Sequence, residues 1–397
     1  METTFDYASL DIPTPSFVID RARLRKNMRL LAEIQNRTGA KFLLALKGFA
    51  SWGVFDDMIG TLHGITASSV YEARLGVEEF AGGEIHAYSP AFNQQDVEEL
   101  SNLADHIVFN SFNQWQRFHS IVEKSGRNIQ LGLRVNPEYS EVRTEIYNPC
   151  TNVSRFGIRR SHFNGHTLDG ISGLHFHTMC QQGPGVLHRT LKHVEKLFGE
   201  YFHGLEWINF GGGHHVTREG YDVDMLCDII NDFRSRTGLE VYLEPGEAHV
   251  LNTGFMVTTV LDIIENPHSS NIAIVDTSAS AHMPDILEMP YTPEMVGAEI
   301  IYETPADVPL DEFSNKYILG GKTCLSGDVI GEYGVDHALR VGDRLVLSDM
   351  AQYTIVKNTM FNGIQPPSIV TCDSEVPDGD VRILRRFNYA DYKHRLS

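Results

Sequence analysis

From Lys41 to Gly246 the sequence repeats one pattern eight times: a short apolar run that reads as a strand, then a longer stretch that reads as an amphipathic helix. The runs are KFLLAL (41–46), GITASS (64–69), EIHAYS (84–89), HIVFNS (106–111), QLGLRVN (130–136), GISGLHFH (170–177), WINFGGG (207–213) and EVYLEPG (240–246). Eight such alternations specify an α/β fold, a parallel (β/α)8 TIM-like barrel, and they place functional groups at the carboxyl ends of the strands. The intervening helices carry their own signatures. In RARLRKNMRLLAEIQNRTG, Leu24, Met28, Leu31 and Ile34 form one stripe and Gly39 ends it; DVDMLCDIINDFRSRTG (222–238) repeats the design.

Past about residue 250 the texture changes. FMVTTVLDIIEN, NIAIVDTS, KYILGG, RVGDRLVLSDM and YTIVKN read as short strands between turn residues, without convincing helices. The expected organisation is a barrel over 14–250 and an all-β domain over 251–397. The strand SFVID (16–20), which stands before the first barrel helix, is a candidate addition to the β domain, so residues 1–20 contribute there.

Charge and cysteine content narrow the class. With 33 Lys and Arg against 52 Asp and Glu the net charge is −19, which repels nucleic acid and anionic membrane surfaces and favours cationic ligands. No apolar stretch is long enough to span a membrane. Five cysteines, an odd number without a C-x-x-C pair and without a preceding signal peptide, fit reduced thiols and a cytoplasmic location.

Several residues at strand ends carry chemistry. Lys47 emerges from FLLAL, where desolvation favours a neutral, nucleophilic amine, although a lysine at a strand end also commonly reaches solvent. His175 and His177 share one face of a strand and suit a metal, a cofactor ring or the core. Gly211, Gly212 and Gly213 in NFGGGHH allow backbone N–H groups to approach a phosphate, or simply make a tight turn. Glu244 in YLEPGE is a metal ligand, a general acid, a partner for a protonated ring nitrogen or a salt-bridged structural acid. Cys324 lies in the glycine-rich GGKTCLSGD, with Asp328 four places on, and Tyr353 lies in DMAQYTIVKN.

The order of these features resembles that of the fold-type III decarboxylases that use pyridoxal phosphate (PLP), relatives of alanine racemase and of ornithine and diaminopimelate decarboxylases. More narrowly, LALKGFASW, TASSVYEARLG, DHIVFNS, GLHFHTMC, NFGGGHH, YLEPGEA, HMPDILEMPY, CLSGDVIGEY and DMAQYTIVKNTMFNG are similar to segments of the carboxynorspermidine/carboxyspermidine decarboxylase family, from about residue 13 to the end. The resemblance implies that Lys47 holds the cofactor, His177 stacks on its ring, and Glu244 faces its ring nitrogen. It further implies that Gly211 to Gly213 and Tyr353 contact the phosphate. Cys324 would be a proton donor offered by the partner subunit of a homodimer with shared active sites, and no metal is implied. The reaction would be loss of the α-carboxylate from a carboxylated triamine in polyamine biosynthesis.

Departures from the relatives bear on specificity. Glu247 stands where ornithine and diaminopimelate decarboxylases carry an arginine, and EMPY (288–291) stands where diaminopimelate decarboxylases carry another. Leu325, not an acid, follows Cys324. Glu288, Asp285 and Glu247, with Asp276 and Asp328, are therefore candidates to bind a distal ammonium. Rival readings are a diaminopimelate- or ornithine-type decarboxylase, a metal-dependent barrel hydrolase using His175, His177, His214, His215 and Glu244, and a non-catalytic homologue.

Overall fold

The computed structural model describes residues 5–301 and 315–397. The chain forms two compact units, Arg25–His249 and a second made of Met1–Leu24 with Val250–Ser397. The strand SFVID groups with the second unit. The reason is β1 (Ser16–Asp20), which pairs antiparallel with Gly254–Val257 and parallel with Ser368–Cys372.

In the first unit the strands are β2 (Lys41–Ala45), β3 (Gly64–Ala67), β4 (Glu84–Tyr88), β5 (His106–Phe109), β6 (Gln130–Asn136), β7 (Ile158–Arg159), β8 (Gly173–His175), β9 (Trp207–Asn209) and β10 (Glu240–Leu243). All pairings are parallel; β2 joins β10 and β5 joins β6, so eight strands close a barrel and β7 is appended to β6. Helix ends follow local chemistry. Val223–Thr237 starts where the Asp222 carboxylate accepts from the Met225 N–H and stops at Gly238, whose φ of 74° suits glycine. Leu24, Met28, Leu31 and Ile34 are all buried, as their stripe requires.

The barrel interior is filled, not hollow. Trp207, Tyr242, Leu43 and Val108 pack together, and Gly173 makes room for the indole: a Cβ there would lie 2.1 Å from Trp207 Cδ2. At the amino-terminal strand ends a polar cluster closes the floor. Lys41 Nζ lies 2.9 Å from Glu84 Oε1 and 3.0 Å from Glu240 Oε1, and the His86 and His106 rings stack at 3.8 Å. Burial, then the neighbouring His86, lowers the His106 pKa to about 2. The ring is neutral, and chemistry is left to the other end.

The second unit is a nine-stranded sheet containing β1, β11 (Gly254–Ile264), β12 (Asn271–Val275), β13 (Ala298–Ile300), β14 (Asn315–Gly320), β15 (Val329–Val335), β16 (Arg344–Ser348), β17 (Ser368–Cys372) and β18 (Arg382–Arg385). One expectation fails here. YTIVKN, which reads as a strand, contains the helix Tyr353–Lys357. Its β-branched Thr-Ile-Val run favours a strand locally, but Thr354 and Ile355 are buried in the helical turn and the Thr354 hydroxyl donates to Asp285 Oδ2 at 3.0 Å, so tertiary contacts override propensity. Short helices at Ala279–His282, Asp285–Glu288 and Tyr389–Leu396 likewise depart from the all-β expectation. Among the described residues no helix is long and apolar enough to cross a membrane.

Candidate active site

At the carboxyl-terminal end of the barrel, Lys47, Thr66, Ser68, Tyr88, Arg134, His175, His177 and Glu244 line one small cavity. Lys47 lies two residues past β2 and Glu244 one past β10, so neighbouring strands present an amine and a carboxylate to the same space. Lys47 keeps accessible surface, yet protein crowds round it. That crowding, and next the Arg134 charge, lower its pKa, against weaker opposing pulls from Glu244 and Glu72.

His177 is oriented by the chain that follows β9. The Gly212 N–H donates to His177 Nδ1 at 2.7 Å, so Nδ1 is an acceptor and the ring proton sits on Nε2. Burial and the Lys47 and Arg134 charges lower its pKa well below the ordinary value. A neutral ring of fixed tautomer results.

Glu244 is held from two sides. Asn209 Nδ2 donates to Oε1 at 2.7 Å, and His175 Nε2 stands 3.2 Å from Oε2. Burial by itself would raise the Glu244 pKa; His175, with smaller help from His86 and Lys47, outweighs it and brings the carboxyl down to about 2. His175 is pushed in the neutral direction by its own burial. The site therefore keeps an ionised carboxylate where water is scarce.

The three glycines divide their work. Gly211 and Gly213 have φ of 71° and 85°, and a Cβ on either would collide with the backbone that follows β8, at Phe176 O and Met179 O. The Gly211 N–H donates to Asn209 Oδ1 at 2.8 Å and that of Gly212 to His177. Two of the three donors thus orient site side chains, and only that of Gly213 is left for a phosphate.

Glu247 opens the short helix Glu247–Val250 and accepts from Gln181 Nε2 at 2.7 Å; His215 Nε2 lies 3.6 Å away. It points to these side chains, in keeping with an acid that replaces a phosphate-binding arginine. The histidines of the metal reading do not converge: His177 faces Gly212, His175 faces Glu244, His215 faces Glu247, and His214 Nε2 lies 3.4 Å from Phe210 O. Among the described residues the group able to approach a metal is Glu84, His86 and His106 on the barrel floor. Its two rings are stacked within 11° of parallel, so their lone pairs run side by side, and Lys41 already supplies the cation.

The remaining candidates lie in the second unit. Asp276 accepts from the Thr258 hydroxyl at 2.7 Å and the Thr259 N–H at 3.0 Å, and Asp328 accepts from Ser278, Ser280 and Thr323. Both carboxylates hold hydrogen bonds within the second unit. Glu288 pairs with Lys357. Asp285 differs: Oδ2 accepts from Tyr291 Oη at 2.6 Å and from Thr354, while the buried Oδ1 has no hydrogen-bond partner. Cys324 is exposed on a loop fixed by its own N–H, which donates to Asn362 Oδ1 at 2.8 Å. Tyr353 begins the helix Tyr353–Lys357, with Lys357 Nζ 6.0 Å from its ring centroid.

Arg134, Tyr88 and Asn209 join the site without having stood out in the sequence. Arg134, a charge inside an otherwise apolar strand and close to its carboxyl end, was the available signal; Asn209 at the last position of β9 was another.

Residues 16–351 match the decarboxylase family described as "Pyridoxal-dependent decarboxylase, C-terminal sheet domain". The chain belongs to this family, and it is a PLP-dependent decarboxylase. It is 44% identical, over 97% of its length and 98% of the relative's, to the carboxynorspermidine/carboxyspermidine decarboxylase of Campylobacter jejuni. It is 42% identical, over 97% of its length and 96% of the relative's, to the carboxyaminopropylagmatine decarboxylase of Synechocystis. The crystal structure of the C. jejuni carboxynorspermidine decarboxylase complexed with norspermidine superposes with a TM-score of 0.89 at 43% identity, covering 97% of this chain and 100% of that one.

The donor set fits PLP. A crowded lysine pushed toward its neutral form suits its aldehyde, a neutral imidazole suits a ring face, and an ionised, desolvated carboxylate suits a protonated pyridine nitrogen.

Proposed function

We propose that the protein removes the α-carboxylate of carboxynorspermidine or carboxyspermidine, giving norspermidine or spermidine in polyamine biosynthesis. The observation that carries this reading is the gathering of Lys47, His177 and Glu244 around one cavity in a chain 44% identical to a decarboxylase of these substrates. PLP, when bound, accepts the electron pair released as CO2 departs. Lys47 holds the cofactor, His177 covers one ring face, and Glu244 keeps the ring nitrogen protonated. Gly213 and Tyr353 serve the phosphate, while Gly211 and Gly212 set the turn that aims Asn209 and His177.

The distal ammonium of the triamine is assigned to Asp285, ahead of Glu288 and Glu247, because its buried Oδ1 lacks a partner and the others are engaged. Kinetics on carboxynorspermidine, carboxyspermidine, carboxyaminopropylagmatine and diaminopimelate test both statements. The carboxytriamines should have the highest kcat/KM, and Asp285→Asn should raise KM for them by roughly ten- to a hundredfold, the equivalent of a charge-assisted hydrogen bond. Highest kcat/KM on diaminopimelate contradicts the substrate; unchanged KM in Asp285→Asn contradicts the assignment.

The active form is a homodimer in which Cys324 completes the partner's site as proton donor; its exposure on an anchored loop supports this. Mixing inactive Lys47→Ala with inactive Cys324→Ala should recover about a quarter of wild-type activity, since random pairing makes half the dimers mixed, each with one intact site. No recovery despite subunit exchange, shown by mass spectrometry, counts against shared sites. The five unpaired cysteines suit a cytoplasmic setting, which cell fractionation checks.

A further inference from the structure

Arg134 is an unusual cation. It is 5% exposed, and its guanidinium carbon lies 4.7 Å from the Tyr88 ring centroid and 4.6 Å from that of Phe156. Nη2 donates to the His177 carbonyl at 3.1 Å. Among the described residues no carboxylate forms an ion pair with it. A buried arginine normally has its charge cancelled by an acid. Here π faces and a carbonyl hold the group while leaving its charge uncompensated. Glu244, the carboxylate of the same cavity, is engaged by Asn209 and His175 instead.

We propose that Arg134 is a positioning residue of the decarboxylation site, anchoring the His177 peptide and setting a fixed positive charge in the cavity that holds the Lys47 amine. This rests on the reading of Lys47 as the cofactor-binding lysine. Lys47 lines the same cavity, and two cations in one crowded space oppose each other, so the guanidinium, which keeps its proton, favours the neutral form of the lysine against the opposing pulls of Glu244, Glu72 and Cys180. A contribution of this sign from Arg134 to the Lys47 amine is second only to burial. The same side chain restrains the carbonyl of the residue whose ring Gly212 orients.

The test is the rate at which the full chain, stripped of cofactor, captures added PLP, followed by visible absorbance across pH. Capture requires the free amine, so its pH midpoint reports Lys47. Arg134→Met should move the midpoint up by about one pH unit and slow capture about tenfold at pH values below both midpoints, with little change above them. Arg134→Lys, which keeps the charge but not the planar fork, should leave the midpoint near wild type while weakening PLP affinity. A residue with a merely structural role would slow capture equally at every pH.

An unmoved midpoint in folded Arg134→Met, or an equal upward shift in Arg134→Lys, overturns the proposal. If Arg134→Met does not fold, Arg134→Gln is read by the same criterion. Capture by Lys47→Ala at the wild-type rate would instead overturn the reading of Lys47, so the two failures are distinguishable.

Discussion

Lys47→Ala is expected to lose the visible absorbance of lysine-bound PLP and to reduce turnover by a factor on the order of 10³ to 10⁶, the range found when a covalent catalytic group is deleted. Among the residues lining the cavity, Lys47 is the only one with a primary amine. Arg134 carries a guanidinium that stays protonated and cannot replace it. Removing a polar amine from a crowded site relieves desolvation, so the variant should fold with a thermal midpoint no lower than wild type. Normal absorbance and turnover in folded Lys47→Ala would remove the chemical centre of the site.

Glu244→Gln is expected to lower kcat by about 2 × 10² to 5 × 10³, the equivalent of the roughly 3 to 5 kcal/mol at stake when one partner of a buried ion pair is lost. The substitution preserves shape, and the amide oxygen still accepts from Asn209 Nδ2. What it removes is negative charge. An amide cannot keep a ring nitrogen protonated, and without that proton the ring is a poor acceptor of electrons from the breaking bond. Substrate KM should change little. A kcat within about threefold of wild type would show that the ring nitrogen does not depend on this carboxylate.

The barrel was readable because each strand is a compact apolar run with a polar or glycine terminus. β6 occupies all of QLGLRVN, and β2 ends within one residue of KFLLAL. The principal groups of its mouth were readable for the same reason, since Lys47 and Glu244 directly follow strands. Arg134 and Asn209 escaped because a single polar residue near the end of a strand has no pattern; its partners come from other strands and exist only once the barrel closes. The role of the glycines was half legible. Positive φ and close approach follow from the residue type, but the commitment of two of their N–H groups to Asn209 and His177 depends on distances across the barrel. Acids proved hardest. Glu288, Asp276 and Asp328 look alike in sequence to Asp285, and the partners that tell them apart, Lys357, Thr258, Thr323 and Tyr291, come together only in the folded chain.

The site is tested most directly by reducing the PLP-loaded wild-type enzyme with borohydride and mapping its peptides by mass. The account predicts one reduced phosphopyridoxyl group per chain, on Lys47. A label on another lysine, or no label on a chain that decarboxylates its substrate, would contradict it.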